Sequence, residues 1–130
     1  MSSETDELVE HYLSWTNESV TRLLGLVDAY DIDDPAPQKW RDDVFAIAHD
    51  IKGMGASFGF PLMTEIGTTL CHYLKTYPKD IPASKPVVEA HTKAMKVVLD
   101  NSITGNGGEK GAALTARLAE ITKTALEADK

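Results

Sequence analysis

The chain has 130 residues, 42% hydrophobic and 25% charged, with one cysteine, Cys71; that is enough for one domain with its own core and excludes an internal disulfide framework or a CxxC metal or redox motif. Twenty acidic against 13 basic residues leave a net charge of −7, which repels phosphate backbones and makes nucleic acid a poor partner. No apolar run approaches the ~20 residues that span a bilayer, and the acidic opening Met1-Ser-Ser-Glu-Thr-Asp-Glu7 is unlike a secretory leader, so a reducing cytoplasmic compartment is expected.

Helical periodicity dominates and no alternating strand pattern stands out. A first helix is expected from about Glu7 to Tyr30, with Leu8, Tyr12, Val20, Leu23, Leu24 and Val27 on its apolar side. The segment Asp31-Ile-Asp-Asp-Pro-Ala-Pro37 breaks it, since prolines and aspartates suit a turn and the start of the next helix. A second helix runs from about Gln38 to Phe58, and Gly59-Phe60-Pro61 ends it. A third continues through Tyr77 with Leu62, Ile66, Leu70, Tyr73 and Leu74 inward, and Pro78, Pro82 and Pro86 mark the following connection. A fourth spans roughly Lys85 to Ser102 on Val88, Met95, Val98 and Leu99. After the turn Thr104-Gly-Asn-Gly-Gly108, a last helix from about Glu109 to Ala128 carries Leu114, Leu118 and Ile121 on one stripe. Short loops between amphipathic helices predict an all-α, up-down antiparallel four-helix bundle, with about five helices in one domain over residues 1–130. No long heptad seam is left over, so a monomer is expected.

The second helix carries the chemistry. Trp40, Val44, Ile47, Ile51, Met54 and Phe58 fall on one stripe at ~100° per residue, which assigns that stripe to the core. His49 lies on the opposite side, with Phe45 one turn before it and Lys52 and Gly53 one turn after. Gly53 and Gly55 each cost ~1 kcal/mol relative to alanine inside a helix, so close approach by something is expected there. Gly53 shares the histidine's face, which favours a partner; Gly55 points nearer the core, where helix packing explains it equally well. An exposed neutral imidazole is a competent phosphoryl acceptor. Lys52 is placed to pair with the phosphoryl oxygens after transfer, and Gly53 leaves room for a donor's loops.

The segment His49-Asp-Ile-Lys52-Gly53-Met-Gly-Ala-Ser-Phe-Gly59 resembles the signature of histidine-containing phosphotransfer (HPt) domains, His-x-Leu-Lys-Gly with a second glycine six residues on. Ile51 stands for the leucine and Gly59 is the second glycine, and the order of helices fits that family over nearly the whole chain. The resemblance implies phosphohistidine on His49, supported by Lys52 and Gly53. It also implies that receiver domains, of a hybrid histidine kinase and of a response regulator, donate and accept the group. The chain itself is then expected to bind no cofactor or metal, Mg²⁺ being held by the receiver, and to be a covalent carrier without its own ATP site rather than an enzyme. A docking face bearing Asp42, Phe45 and Ala56 beside the motif is expected. The sequence departs from the pattern at Met54-Gly55, where small serines are common, at Phe60-Pro61, where a small residue usually follows the last glycine, and at Lys75, where an acidic residue is common.

His49-Asp50-Ile51-Lys52 is also similar to the phosphoacceptor box of histidine-kinase dimerisation helices, but that box continues with asparagine or threonine and then proline, and no nucleotide-binding domain fits in the remaining residues. A helical adaptor that binds receivers without phosphorylation is the alternative from a different class, and the presence of His49 argues against it. No histidine has a carboxylate three residues before it, as a di-iron bundle needs. His11, His72 and His91 read as surface or structural residues. The glycines at 53–55 and 105–108 lack the strand and lysine context of phosphate-binding loops. The complete-looking ends favour a free-standing protein over an excised module.

Overall fold

The structure is a computed structural model that describes residues 3–77 and 83–128. Five α-helices follow in order: α1 (Ser3–Asp28), α2 (Pro37–Met54), α3 (Pro61–Thr76), α4 (Lys85–Asp100) and α5 (Gly108–Ala128), with a 3₁₀ turn at Ala56–Phe58 between α2 and α3. Among the described residues there is no strand, and no helix is long and apolar enough to cross a membrane. Prolines open the interior helices: Pro37 and Pro61 are the first residues of α2 and α3, and Pro86 is the second of α4. There a missing N–H costs nothing and the fixed φ suits the first turn. Pro78 and Pro82 lie outside the described residues.

Each of α1 to α4 packs on the next and α4 returns to α1, closing a four-helix bundle, while α5 lies outside the square against α3 and α4. The core holds Val20, Leu23 and Val27 of α1, Val44, Ala48 and Ile51 of α2, Ile66, Leu70 and Tyr73 of α3, and Val88, Met95 and Val98 of α4. Leu118 of α5 joins them. The aspartates before α2 shape its entry: Asp31 and Asp34 accept hydrogen bonds from the backbone N–H of Asp33 and Ala36. Trp40 then donates to the Leu26 carbonyl at 2.7 Å and meets Tyr30 edge-on, tying α2 to α1.

Several sequence expectations shift. α1 begins four residues earlier than expected, and Leu8 is 57% exposed rather than inward. α2 ends at Met54, not Phe58, because the chain tightens into the 3₁₀ turn after Gly55. The buried side of α2 is centred on Val44, Ala48 and Ile51 and continues to Gly55, which leaves Met54 at the flank and 40% exposed, and Phe58, past the end of the helix, is only half-buried. Trp40 and Ile47 are half-buried, and Arg41, absent from the expected core, is buried with its guanidinium donating to the Tyr77 carbonyl at 2.8 Å.

The turn after α2 is firmly braced. Gly59 adopts φ +88°, a left-handed conformation in which glycine escapes the Cβ penalty. The Phe60 N–H donates back to Gly55. Tyr12 of α1 stacks on Phe58 and Phe60, centroids 4.9 and 5.7 Å away. From the far side of the chain, the Gly105 N–H donates to the Gly59 carbonyl at 3.1 Å. The loop before α5 is thereby tied to the end of the helix that carries His49.

Candidate functional site

α2 is held from beneath and open above. Val44, Ala48 and Ile51 on its inner face are fully buried, and His49 projects from the opposite face into solvent. A buried anchor of this kind gives an exposed side chain a rigid base without enclosing it.

Around His49 the structure brings together three of the expected residues. Phe45, one turn earlier, is half-buried and lays its ring against the imidazole, centroids 5.8 Å apart and planes 14° from parallel. Lys52, one turn later, is half-buried along its stem. Gly53 is exposed, and a Cβ placed on it would meet nothing within 4 Å. The open space confirms that no neighbouring helix requires the glycine. Gly55 is the contrary case: its Cβ would fall 2.8 Å from the Phe60 carbonyl and the Thr64 hydroxyl, so helix packing alone explains it.

The other expected positions lie further out. Asp42 is exposed two turns before His49 and accepts a 2.6 Å hydrogen bond from Gln38. Ala56 is exposed in the 3₁₀ turn, where its N–H donates to Thr64 Oγ1. Gly59 sits at the end of that turn, and Ile51 is wholly buried as part of the scaffold.

Two contributors from α3 were not among the expected site residues, although Lys75 had stood out as a departure from the family pattern. Gly67 lets α3 approach α2 at Ala48 and Lys52, directly beneath the histidine's turn. Its mid-helix position costs ~1 kcal/mol relative to alanine, the same signal that singled out Gly53 and Gly55. Lys75 places its ammonium over the Phe45 ring, 5.4 Å from the centroid. Between them Cys71 is buried on the seam. Burial pushes its thiol pKa up, with Lys52 and Lys75 pulling the other way. A groove of about 400 Å³ between α2 and α3, lined by Gln38, Arg41, Asp42, Phe45, Leu74 and Lys75, runs alongside.

The other histidines differ. His11 and His72 are exposed, and His91 is wholly buried in α4 with Nδ1 donating to the Val87 carbonyl at 2.7 Å. The site can therefore offer one accessible imidazole, a cation one turn away and an unobstructed approach. Nucleophilic capture of an electrophilic phosphorus needs little more from the acceptor, provided charge neutralisation comes with the donor.

The family model for the Hpt domain matches residues 7–104, which takes in α1 from Glu7 onward and α2 to α4, and leaves α5 outside. No curated protein matches the chain and no solved structure does.

Proposed function

The chain belongs to the Hpt domain family, whose members carry phosphoryl groups in two-component signalling and interact with receiver domains, and from that premise we propose that it relays a phosphoryl group between receiver aspartates through phosphohistidine on His49. The observation that carries this reading is the exposed imidazole of His49 on a helix whose opposite face is fully buried, with open space over Gly53.

In the proposed step a phosphorylated receiver docks over Asp42, Phe45, His49, Lys52, Gly53 and Ala56. The lone pair of one imidazole nitrogen attacks phosphorus in line. The bond from phosphorus to the aspartyl oxygen breaks, and the carboxylate leaves with the electron pair. The phosphorylated ring then loses the proton on its other nitrogen to water. Lys52 pairs with the phosphoryl oxygens once they arrive. The proposal assigns Mg²⁺ to the receiver, as the family resemblance implies, where it would neutralise developing charge. A second receiver takes the group by the reverse steps.

This makes the protein a covalent carrier with no ATP site of its own. We further propose a cytoplasmic monomer whose two partners are the receiver of a hybrid histidine kinase and that of a response regulator. Closure of α1 to α4 around one core supports the monomer.

The test is transfer from a radiolabelled, Mg²⁺-loaded receiver to the protein and to His49→Gln, followed by acid. Acid-labile, alkali-stable label on the wild type alone is expected. Absence of label with several receivers, in a protein that keeps its helical fold, would leave the non-phosphorylated adaptor reading in its place.

A further inference from the structure

Three side chains form a series of contacts across the seam between α2 and α3. The Phe45 ring lies nearly parallel to the His49 imidazole, and the Lys75 ammonium stands over that same ring. The seam's register is fixed lower down, where Gly67 admits α3 against Ala48 and Lys52. Gly67, Cys71 and Lys75 succeed one another four residues apart, so they share one face of α3, and that face runs along α2 towards Phe45.

An exposed histidine on a helix ordinarily moves among its staggered rotamers, and its ring turns freely about the last bond. A ring stacked upon it removes that freedom. Phe45 is on the same helix as His49, so it needs an anchor from elsewhere if it is to hold anything still. Lys75 supplies one from α3, through the attraction of an ammonium for the electron-rich face of an aromatic ring. Among the described residues no carboxylate lies within ion-pair distance of Lys75 to draw it away.

We propose that Phe45 and Lys75 are a positioning pair for His49: Lys75 holds the Phe45 ring, and Phe45 holds the imidazole plane so that one ring nitrogen faces the incoming phosphoryl group. The inference rests on His49 as the phosphoryl acceptor, and it gives Phe45 a role beyond docking surface. It also gives the lysine at position 75 work that an acidic side chain would not do, since a carboxylate is repelled by the ring face.

The experiment uses the full chain with Phe45→Leu, Phe45→Tyr, Lys75→Ala and Lys75→Arg. The χ1 couplings of His49 are read by NMR without phosphate present. Phosphorylation by phosphoramidate, a small donor that needs no docking, is then followed by phosphorus NMR, which separates the two phosphohistidine isomers. One rotamer and one isomer are expected in the wild type, Phe45→Tyr and Lys75→Arg. Averaged couplings and both isomers are expected in Phe45→Leu, together with about a tenfold fall in the kcat of transfer from a receiver. Lys75→Ala should show a smaller change of the same kind, and as an exposed position it keeps the test open if Phe45→Leu folds poorly.

A Phe45→Leu protein that retains a single rotamer and a single isomer would overturn the proposal, as would averaged couplings in the wild type. Unchanged couplings in Lys75→Ala would overturn the part given to Lys75. If the wild type took no phosphate from any receiver, the functional reading would fall while the rotamer result stood by itself.

Discussion

A Cβ built on Gly67 would stand 3.0 Å from the Cβ of Lys52 and 3.1 Å from the Ala48 carbonyl oxygen. Both atoms belong to the helix that carries His49, and neither is the far end of a flexible side chain. Gly67→Ala must therefore push α3 outwards or shift the turn bearing the lysine. We expect a loss of about 1–3 kcal/mol in urea unfolding, the range for overpacking a close contact. A stability equal to the wild type would mean that the seam yields more easily than its geometry suggests.

The paired glycines at the end of α2 should respond in opposite directions. Gly53→Ala adds a methyl group to open space in a helix and should stabilise by up to about 1 kcal/mol. Gly55→Ala drives a methyl group to 2.8 Å from the Phe60 carbonyl and should lower the melting temperature. Thermal unfolding of the two variants side by side decides this. On the functional reading, Gly53→Leu should keep its fold and lose receiver transfer, because bulk then stands where a partner approaches.

Lys52→Ala should leave phosphohistidine formation possible but weaken its protection. Loss of one charge-assisted contact to the phosphoryl oxygens is worth ~1.5–3 kcal/mol. The half-life of the phosphorylated protein at neutral pH, or its rate of formation, should change by about tenfold or more. If neither moved, the ammonium would serve only to solvate the face.

His91 gives the fold a dependence on pH that is separate from the phosphoryl site. It is wholly buried, Nδ1 is committed to the Val87 carbonyl, and Nε2 has no hydrogen-bond partner. Burial pushes its pKa below the ordinary 6.5, with the Val87 hydrogen bond opposing in smaller measure. The unfolded chain therefore binds this proton more readily than the folded one. Its contribution is fully present above pH 6.5 and is lost as pH falls from there towards the folded pKa. Urea midpoints at pH 8 and pH 5.5 should differ, and His91→Leu should flatten that part of the profile. An equal slope in both proteins would assign the effect to other groups.

Much of this architecture is legible in local spacing. The inward residues expected on α3 and α4, from Leu62 to Leu74 and from Val88 to Leu99, are all buried. On α2, the alternation of fours and threes placed Val44 and Ile51 inward and His49 outward. It failed at Met54 because the buried side is centred on Val44, Ala48 and Ile51 rather than on the line through Trp40, Ile47 and Met54, and at Phe58 because a fixed 100° step does not carry into the 3₁₀ turn. Arg41 was hidden by its charge: its interior position depends on the Tyr77 carbonyl, 36 residues away. Lys75 and Phe45 meet for the same kind of reason, through a crossing of helices that periodicity within either helix does not encode.

The hydrogen bond from Gly105 to Gly59 has a consequence for where this protein can be cut. The family resemblance stops at residue 104, one position before a backbone group that steadies the end of the histidine's helix. Gly107 then sits against Leu62, so closely that a Cβ would come within 2.9 Å, and Leu118 fills part of the core. The border of the matched region and the border of the packed core therefore do not coincide. A fragment trimmed to the matched stretch would keep every atom of the proposed chemistry and still lose the hydrogen bond that ties the turn after the histidine's helix to the loop before α5.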